Sequence, residues 1–306
     1  MQNCMKTVPE SVKVFKIVLF SLVFIVGIIL NALALRTFCW KLRNWTETTI
    51  YMTSLAVSDL MVLVTLPFKI YSQYGNLSEV FLCKCVIMLG NLNMTISIVI
   101  STYICVDRYI AIKHPFKARV LRSPKKAALA SAGAWIGTSL VILPFTFSTI
   151  VPDENLSAPC FNPDMSNSIL YFIFVVVIFL IVPLITVTYC SVQIIQTLLK
   201  RPMSIAPAFN TKRTIQIIAA NAVIFVSCFM PYNIAFIVEV AAMLMDADCT
   251  VQNQLYSFSH IAHSITNINC CLDAFIFYFV TADAAEYDQN QSKNNGHNQA
   301  TLQIEL

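Results

Sequence analysis

Seven long apolar runs, separated by short polar stretches, organise the chain: Val12–Phe38, Tyr51–Tyr74, Cys85–Ile112, Ala127–Ile150, Ile169–Leu199, Ile215–Met245 and Leu255–Val280. Each meets the roughly 20 residues that a helix needs to cross the hydrocarbon of a bilayer. The pattern predicts an all-α, integral-membrane bundle of seven transmembrane helices over residues 1–280. The tail, 281–306, is rich in Asn, Gln, Asp and Ser and reads as disordered.

Composition agrees. Of the 306 residues 57% are hydrophobic and 12% charged, against roughly a quarter charged in an ordinary soluble domain. Lys13 and Lys16 lead the first run much as they would a secretory signal. Its length, the lack of a small-residue cleavage site and the Arg36, Lys41 and Arg43 that follow mark it instead as a retained span.

Charge sets the orientation. Arg36, Lys41 and Arg43 follow the first run; Lys113, Lys117, Arg119, Arg122, Lys125 and Lys126 follow the third; Lys200, Arg201, Lys212 and Arg213 join the fifth to the sixth. By the positive-inside rule these alternate loops are cytoplasmic, so the N-terminus is expected outside and the C-terminus inside. The net charge of +4 therefore hides a polarised molecule and does not point to nucleic acid.

The cysteines sort by depth. Cys4, Cys83, Cys85, Cys160 and Cys249 fall on or near the outer face, where oxidation is permitted. A bridge between Cys83 and Cys160 would pin the loop after span four over the bundle. Cys4 with Cys249 is a second candidate, leaving Cys85 over; the sequence leaves the connectivity open. Asn155-Leu156-Ser157 and Asn76-Leu77-Ser78 are outer-loop glycosylation sequons.

Polar residues inside apolar runs are costly and so informative. Asp59 lies in span two and Asp273 in span seven. Asn93 and Ser97 are four apart, as are Asn269 and Asp273, so each pair shares a helix face. Together they would form a small oxygen-lined cavity in which a sodium ion or one shared proton holds the two carboxylates, the alternative being a hydrated network. Near the inner end of span three stands Asp107-Arg108-Tyr109, an acidic-basic-aromatic triplet. Pro67, Pro144, Pro183 and Pro231 interrupt spans, and Phe225, Cys228, Phe229, Tyr232, Phe236 and Glu239 form a helical stripe across Pro231.

These residues, with Gly27 and Asn31, Leu55 to Leu60, Trp135 and Asn269 to Asp273, fall in order, one set per span. As a set they resemble the class A, rhodopsin-like G-protein-coupled receptors over nearly the whole chain. The runs Trp45 to Thr48, Ile50 to Thr53, Leu121 to Pro124 and Asn269 to Asp273 are similar to the subgroup of that class formed by G-protein coupled receptor 35 and the lysophosphatidylinositol receptor. The resemblance implies a multi-pass plasma-membrane receptor, not an enzyme, with no cofactor beyond an allosteric sodium ion. Its implied partners are heterotrimeric G proteins of the Gi or Rho-activating type and arrestin.

Site roles follow from the same resemblance. Asp107 would hold Arg108 in an ion pair at rest, and outward movement of helix six would free Arg108 for the G protein. Phe116 matches the apolar knob that packs on the G protein. Asp59, Asn93, Ser97, Asn269 and Asp273 match the family's sodium pocket, and Phe225, Phe229, Pro231 and Phe277 its activation switch. The chain departs from the pattern at Phe229 for Trp, Asp273-Ala274 for Asn-Pro, Phe277 for Tyr and Ser191 for Tyr; the last two changes remove hydroxyls that brace the active state. The tail has no cysteine for palmitoylation, and its ending, Ile304-Glu305-Leu306, has the form of a PDZ ligand.

The expected ligand pocket draws on Lys69 and Tyr74 from span two, Asn91 from three, Tyr232, Phe236 and Glu239 from six, and His260, His263 and Asn267 from seven. Gly90 stands where amine receptors carry Asp, and span seven has no lysine for a retinal Schiff base. Lys69, amid apolar surface, favours an anionic lipid such as a lysophospholipid, or a small organic acid. The competing expectation is that Lys69 snorkels to the headgroups. A seven-span hydrolase would need metal ligands converging at one depth, which the four scattered histidines do not offer, and a transporter would show internal repeats.

Overall fold

A computed structural model describes residues 8–38, 45–74, 80–149, 177–200 and 208–276. Cys4, Asn76, Asn155, Cys160, Phe277 and the tail 281–306 lie outside the described residues. Within them the regular structure is helical: α1 (Glu10–Arg36), α2 (Glu47–Leu63), α3 (Leu66–Tyr71), α4 (Val80–Lys113), α5 (Pro115–Leu121), α6 (Pro124–Thr149), a π-turn (Val177–Ile181) leading into α7 (Val182–Leu199), α8 (Ala208–Leu244) and α9 (Cys249–Thr266). A last helical stretch, α10, covers 269–276.

Helices start ahead of the apolar runs because their ends are fixed by caps and turns rather than by hydropathy. At α2 the Thr46 hydroxyl accepts from the Thr49 amide at 3.3 Å, closing one of the amides that a helix start leaves unpaired. Six of the described helical segments are long and apolar enough to cross a membrane. The seventh span is more polar because Gln252, Ser259, Ser264, Thr266 and Asn267 are buried inside the bundle.

Each span divides into a lipid stripe and a core stripe. On α1, Val18, Leu22, Ile25, Ile29 and Leu33 are exposed, whereas Lys16, Phe20, Val23, Gly27 and Asn31 are buried on the opposite face. Gly27 is where α1 meets α2 most closely: a Cβ there would lie 2.7 Å from Leu63 Cδ2. The long α4 is central, packing against α2, α6, α7 and α8. Ile98 and Cys105 meet Val187, Phe225 and Phe229 on one side of it, and Leu92, Ile96 and Ile100 meet Met52, Leu55 and Ala134 on the other.

Two breaks re-aim the functional side chains. Pro67 cannot donate a backbone hydrogen bond, so span two breaks between α2 and α3, and Thr65 pairs with Val62 in a tighter 2.8 Å turn. Beyond the break Leu66 and Lys69 point inward. Span seven breaks at Asn267 and Ile268, which separate α9 from α10. Pro144 and Pro231, by contrast, stay inside continuous helices.

Candidate functional site

Three polar layers are stacked through the bundle. At the basic end, Asp107 is buried, 8% exposed, at the foot of α4. Arg122, in the turn between α5 and α6, grips it with both arms of its fork: Nε donates to Oδ1 at 2.7 Å and Nη2 to Oδ2 at 2.9 Å. Arg122 Nη2 also reaches Glu47 at 3.3 Å, tying the start of α2 into the same junction. Burial works against the Arg122 charge, but the hydrogen bonds and charge of Asp107, with Glu47, outweigh it and raise its pKa above the ordinary arginine value.

This corrects the expectation that Asp107 pairs with Arg108. Adjacent helix residues diverge by about 100°, so a carboxylate turned toward the α5–α6 junction leaves its neighbour facing elsewhere. Arg108 donates instead to the Thr48 hydroxyl on α2. Tyr109 turns the third way, stacking edge-on against His114 and lying 6.0 Å from the Tyr189 ring on α7. Phe116, on the short helix α5, is 85% exposed. Lys113 donates to Gln193 and closes the α4–α7 side.

Midway through the bundle, Asn93 Nδ2 donates to Asp59 Oδ1 and to Ser58 Oγ, both at 3.0 Å. Asn269 Nδ2 donates to Asp273 Oδ2 at 2.6 Å, and Asp273 lies within electrostatic reach of Asp59. Four of the five residues expected to share a cavity are thus linked in one layer, beside Asn31, which bonds the Cys270 carbonyl at 2.8 Å, and Ser97 lies one turn along α4 from Asn93. Asp59 Oδ2 and Ser97 Oγ are fully buried without a protein partner. Unpartnered oxygens beside two carboxylates suit a small hard cation, so Asp59 and Ser97 would hold a sodium ion here. The switch residues border this layer: Phe225 and Phe229 are buried with ring centroids 5.6 Å apart.

The opposite end brings together several of the residues expected to line the ligand pocket. Lys69 is 5% exposed and points into the bundle rather than toward headgroups. Its Nζ donates to Asn267 Oδ1 at 3.5 Å and lies 6.0 Å above the Phe20 ring. Tyr232 stands edge-on to His263 at 5.0 Å and stacks with Phe236 at 5.9 Å. Glu239 is buried and acts electrostatically on Tyr232 and Tyr256. Asn91 is half-buried on α4, one residue beyond Gly90, where a Cβ would stand 3.2 Å from Lys69 Nζ.

Two residues differ from expectation. Tyr74 is 74% exposed and does not line the pocket: beyond the Pro67 break the inward face runs through Leu66 and Lys69, and the helix has ended at Tyr71. Tyr256, whose ring lies 4.4 Å from His260, joins the layer although the sequence reading passed over it; its position one turn before His260 was the available signal. Cys83 and Cys249, at the starts of α4 and α9, are both disulfide-bonded. Cys85 carries a free thiol.

A seven-span helical bundle with a charged junction at its basic end, a buried carboxylate layer and a cluster of polar and aromatic side chains at the end that carries the disulfide-bonded Cys83 and Cys249 has the architecture of a membrane receptor. The family model for the 7 transmembrane receptor (rhodopsin family) matches residues 30–277, and the chain belongs to that family. It is a multi-pass plasma-membrane protein and a G-protein-coupled receptor. It is similar to G-protein coupled receptor 35 of Mus musculus, at 35% identity over 96% of this chain and 94% of the relative. It is also similar to lysophosphatidic acid receptor 6 of Gallus gallus, at 32% over 89% and 92%, and to lysophosphatidic acid receptor 4 of Homo sapiens, at 32% over 85% and 72%.

Proposed function

We propose that this receptor responds to an anionic amphiphile, a lysophospholipid in the first instance and otherwise a small organic acid, bound at the end of the bundle that holds Lys69. The observation that carries the reading is Lys69 itself: a buried ammonium whose hydrogen bond, among the described residues, goes to a neutral amide, with the Phe20 ring beside it. An uncompensated buried cation is costly, and an anionic ligand removes that cost while its chain covers apolar surface. Similarity to receptors named for lysophosphatidic acid supports the class.

The ligand end faces outward and the basic end faces the cytoplasm. The disulfide-bonded Cys83 and Cys249 brace the outer rim, and Asn76 and Asn155 carry glycans. Agonist shifts the population toward a state in which helix six, carrying Phe225, Phe229 and Pro231, moves at its inner end, and Arg108 leaves Thr48 for the G-protein α-subunit. Phe116 packs on that partner, of the Gi or Rho-activating type, and arrestin follows. A sodium ion at Asp59, Ser97 and their neighbours favours the resting state.

The test is a dose series of 1-oleoyl lysophosphatidic acid, other anionic lysolipids and small acids on cells carrying chimeric G proteins. The wild type should respond, Arg108→Ala should abolish the response at normal surface expression, and Lys69→Ala should weaken potency at least ~10-fold. Unchanged potency of every active anion in Lys69→Ala would sink the ligand reading, and a persistent response in Arg108→Ala the coupling reading.

A further inference from the structure

Lys69 is not the only buried cation at its end of the bundle. Lys16, on the first span, is 7% exposed and, among the described residues, makes no hydrogen bond or ion pair. It shares a face of α1 with Phe20, one turn on, and Phe20 is the ring over which the Lys69 ammonium stands. Lys16 and Lys69 thus lie on either side of the same buried ring, and Lys16 acts electrostatically on both Lys69 and His263. Among the described residues no carboxylate acts on Lys69 or Lys16 there; Glu239 acts on Tyr232 and Tyr256.

Two like charges held together out of water, without a counter-charge, oppose folding twice over, by desolvation and by mutual repulsion. Either alone would be tolerated by a bend of a flexible stem toward the headgroups, yet both side chains are buried. We infer that Lys16 and Lys69 form one clamp for a doubly negative group, a phosphomonoester or a dicarboxylate, seated between the first, second and seventh spans with Asn267 beside it. This rests on the reading that the ligand is anionic and narrows it. A single charge, as on a phosphodiester or a fatty acid, leaves one lysine unpaired; a double charge satisfies both. Gly90 keeps the flank of Lys69 open, since a side chain there would crowd the ammonium.

The experiment uses full-length receptor purified in non-ionic detergent, as wild type, Lys16→Met, Lys16→Arg and Lys69→Met. Binding is measured for 1-oleoyl lysophosphatidic acid, for lysophosphatidylinositol as its phosphodiester counterpart, and for succinate and oleate as a matched dicarboxylate and monocarboxylate. Lys16→Met should lose at least ~10-fold in affinity for the dianion that binds, but only about threefold or less for its monoanionic counterpart, and Lys16→Arg should retain the wild-type order. Without ligand, Lys16→Met should unfold at a higher temperature than wild type, because it removes a buried unpaired charge; a misfolded variant would do the opposite. A response to lysophosphatidic acid alone assigns the dianion to a lipid head, and a response to succinate assigns it to a small acid. If Lys69→Met loses anion binding and Lys16→Met does not, the clamp is wrong and the anionic-ligand reading stands. If wild type binds none of the four anions, both fall.

Discussion

Arg122 holds the carboxylate of Asp107 from outside the helix that carries it, with two charge-assisted hydrogen bonds of 2.7 and 2.9 Å reaching from the α5–α6 turn to the foot of α4. The fork geometry of arginine suits both carboxylate oxygens at once, so the pair fixes direction as well as distance. The consequence is a division of labour within the triplet: Asp107 anchors the turn that ends α5, the helix carrying Phe116, and Arg108 faces α2.

Breaking the Asp107–Arg122 pair should loosen that turn. Arg122→Gln and Asp107→Asn should each lower the unfolding temperature of detergent-solubilised receptor. The double variant should lose less than the sum of the two, with a coupling of about 1–3 kcal/mol. Additive losses would show that the two side chains do not support each other. Arg122→Lys, which keeps the charge but not the fork, should fall between wild type and Arg122→Gln.

Gly90→Asp should place a carboxylate beside Lys69, because a Cβ added at Gly90 would stand 3.2 Å from its Nζ. The new internal ion pair would occupy the cation that the ligand needs. Receptor folding and surface expression should hold, while potency of anionic agonists falls by at least ~10-fold in a dose-response assay. Undiminished potency would remove Lys69 from the binding site.

Sodium should weaken agonist binding in the wild type and not in variants of the carboxylate layer. Asp59→Asn and Ser97→Ala each alter an oxygen that is buried without a protein partner. Radioligand competition between 0 and roughly 150 mM sodium, at constant ionic strength, should show an affinity shift of several-fold that Asp59→Asn abolishes. An equal shift with choline in place of sodium would mean a general salt effect.

Gly27→Ala should strain the contact between the first two spans. The added methyl would meet Leu63 Cδ2 at 2.7 Å, and Leu63 is fully buried, so its side chain has little room to turn away. A loss of about 1–3 kcal/mol in thermal stability is expected, with partial recovery in Gly27→Ala/Leu63→Val. No loss in the single variant would show that the helices can separate at no cost.

The sequence by itself determined the membrane bundle, the location of the spans and the residue types at each depth. Spans are legible because hydrocarbon imposes one requirement, an apolar run of sufficient length, on every crossing segment. The Asn269–Asp273 and Asn93–Asp59 associations were legible for a related reason: four-residue spacing fixes a shared face, and a buried carboxylate needs company. Only the tertiary structure decided which charges meet. Lys16 and Lys69 are 53 positions apart in the chain, and their meeting depends on how α1 crosses α3 after the Pro67 break. Tyr74 was misread because that break shifts the helix face, a rotation that spacing alone does not record. Arg122 displaced Arg108 as the partner of Asp107 because neighbours on a helix point apart, whereas a turn folded back from nine positions beyond the end of α4 at Lys113 can bring a guanidinium to the carboxylate in the right plane. Local chemistry thus follows from composition and period, and long-range ion pairing follows from the path of the backbone.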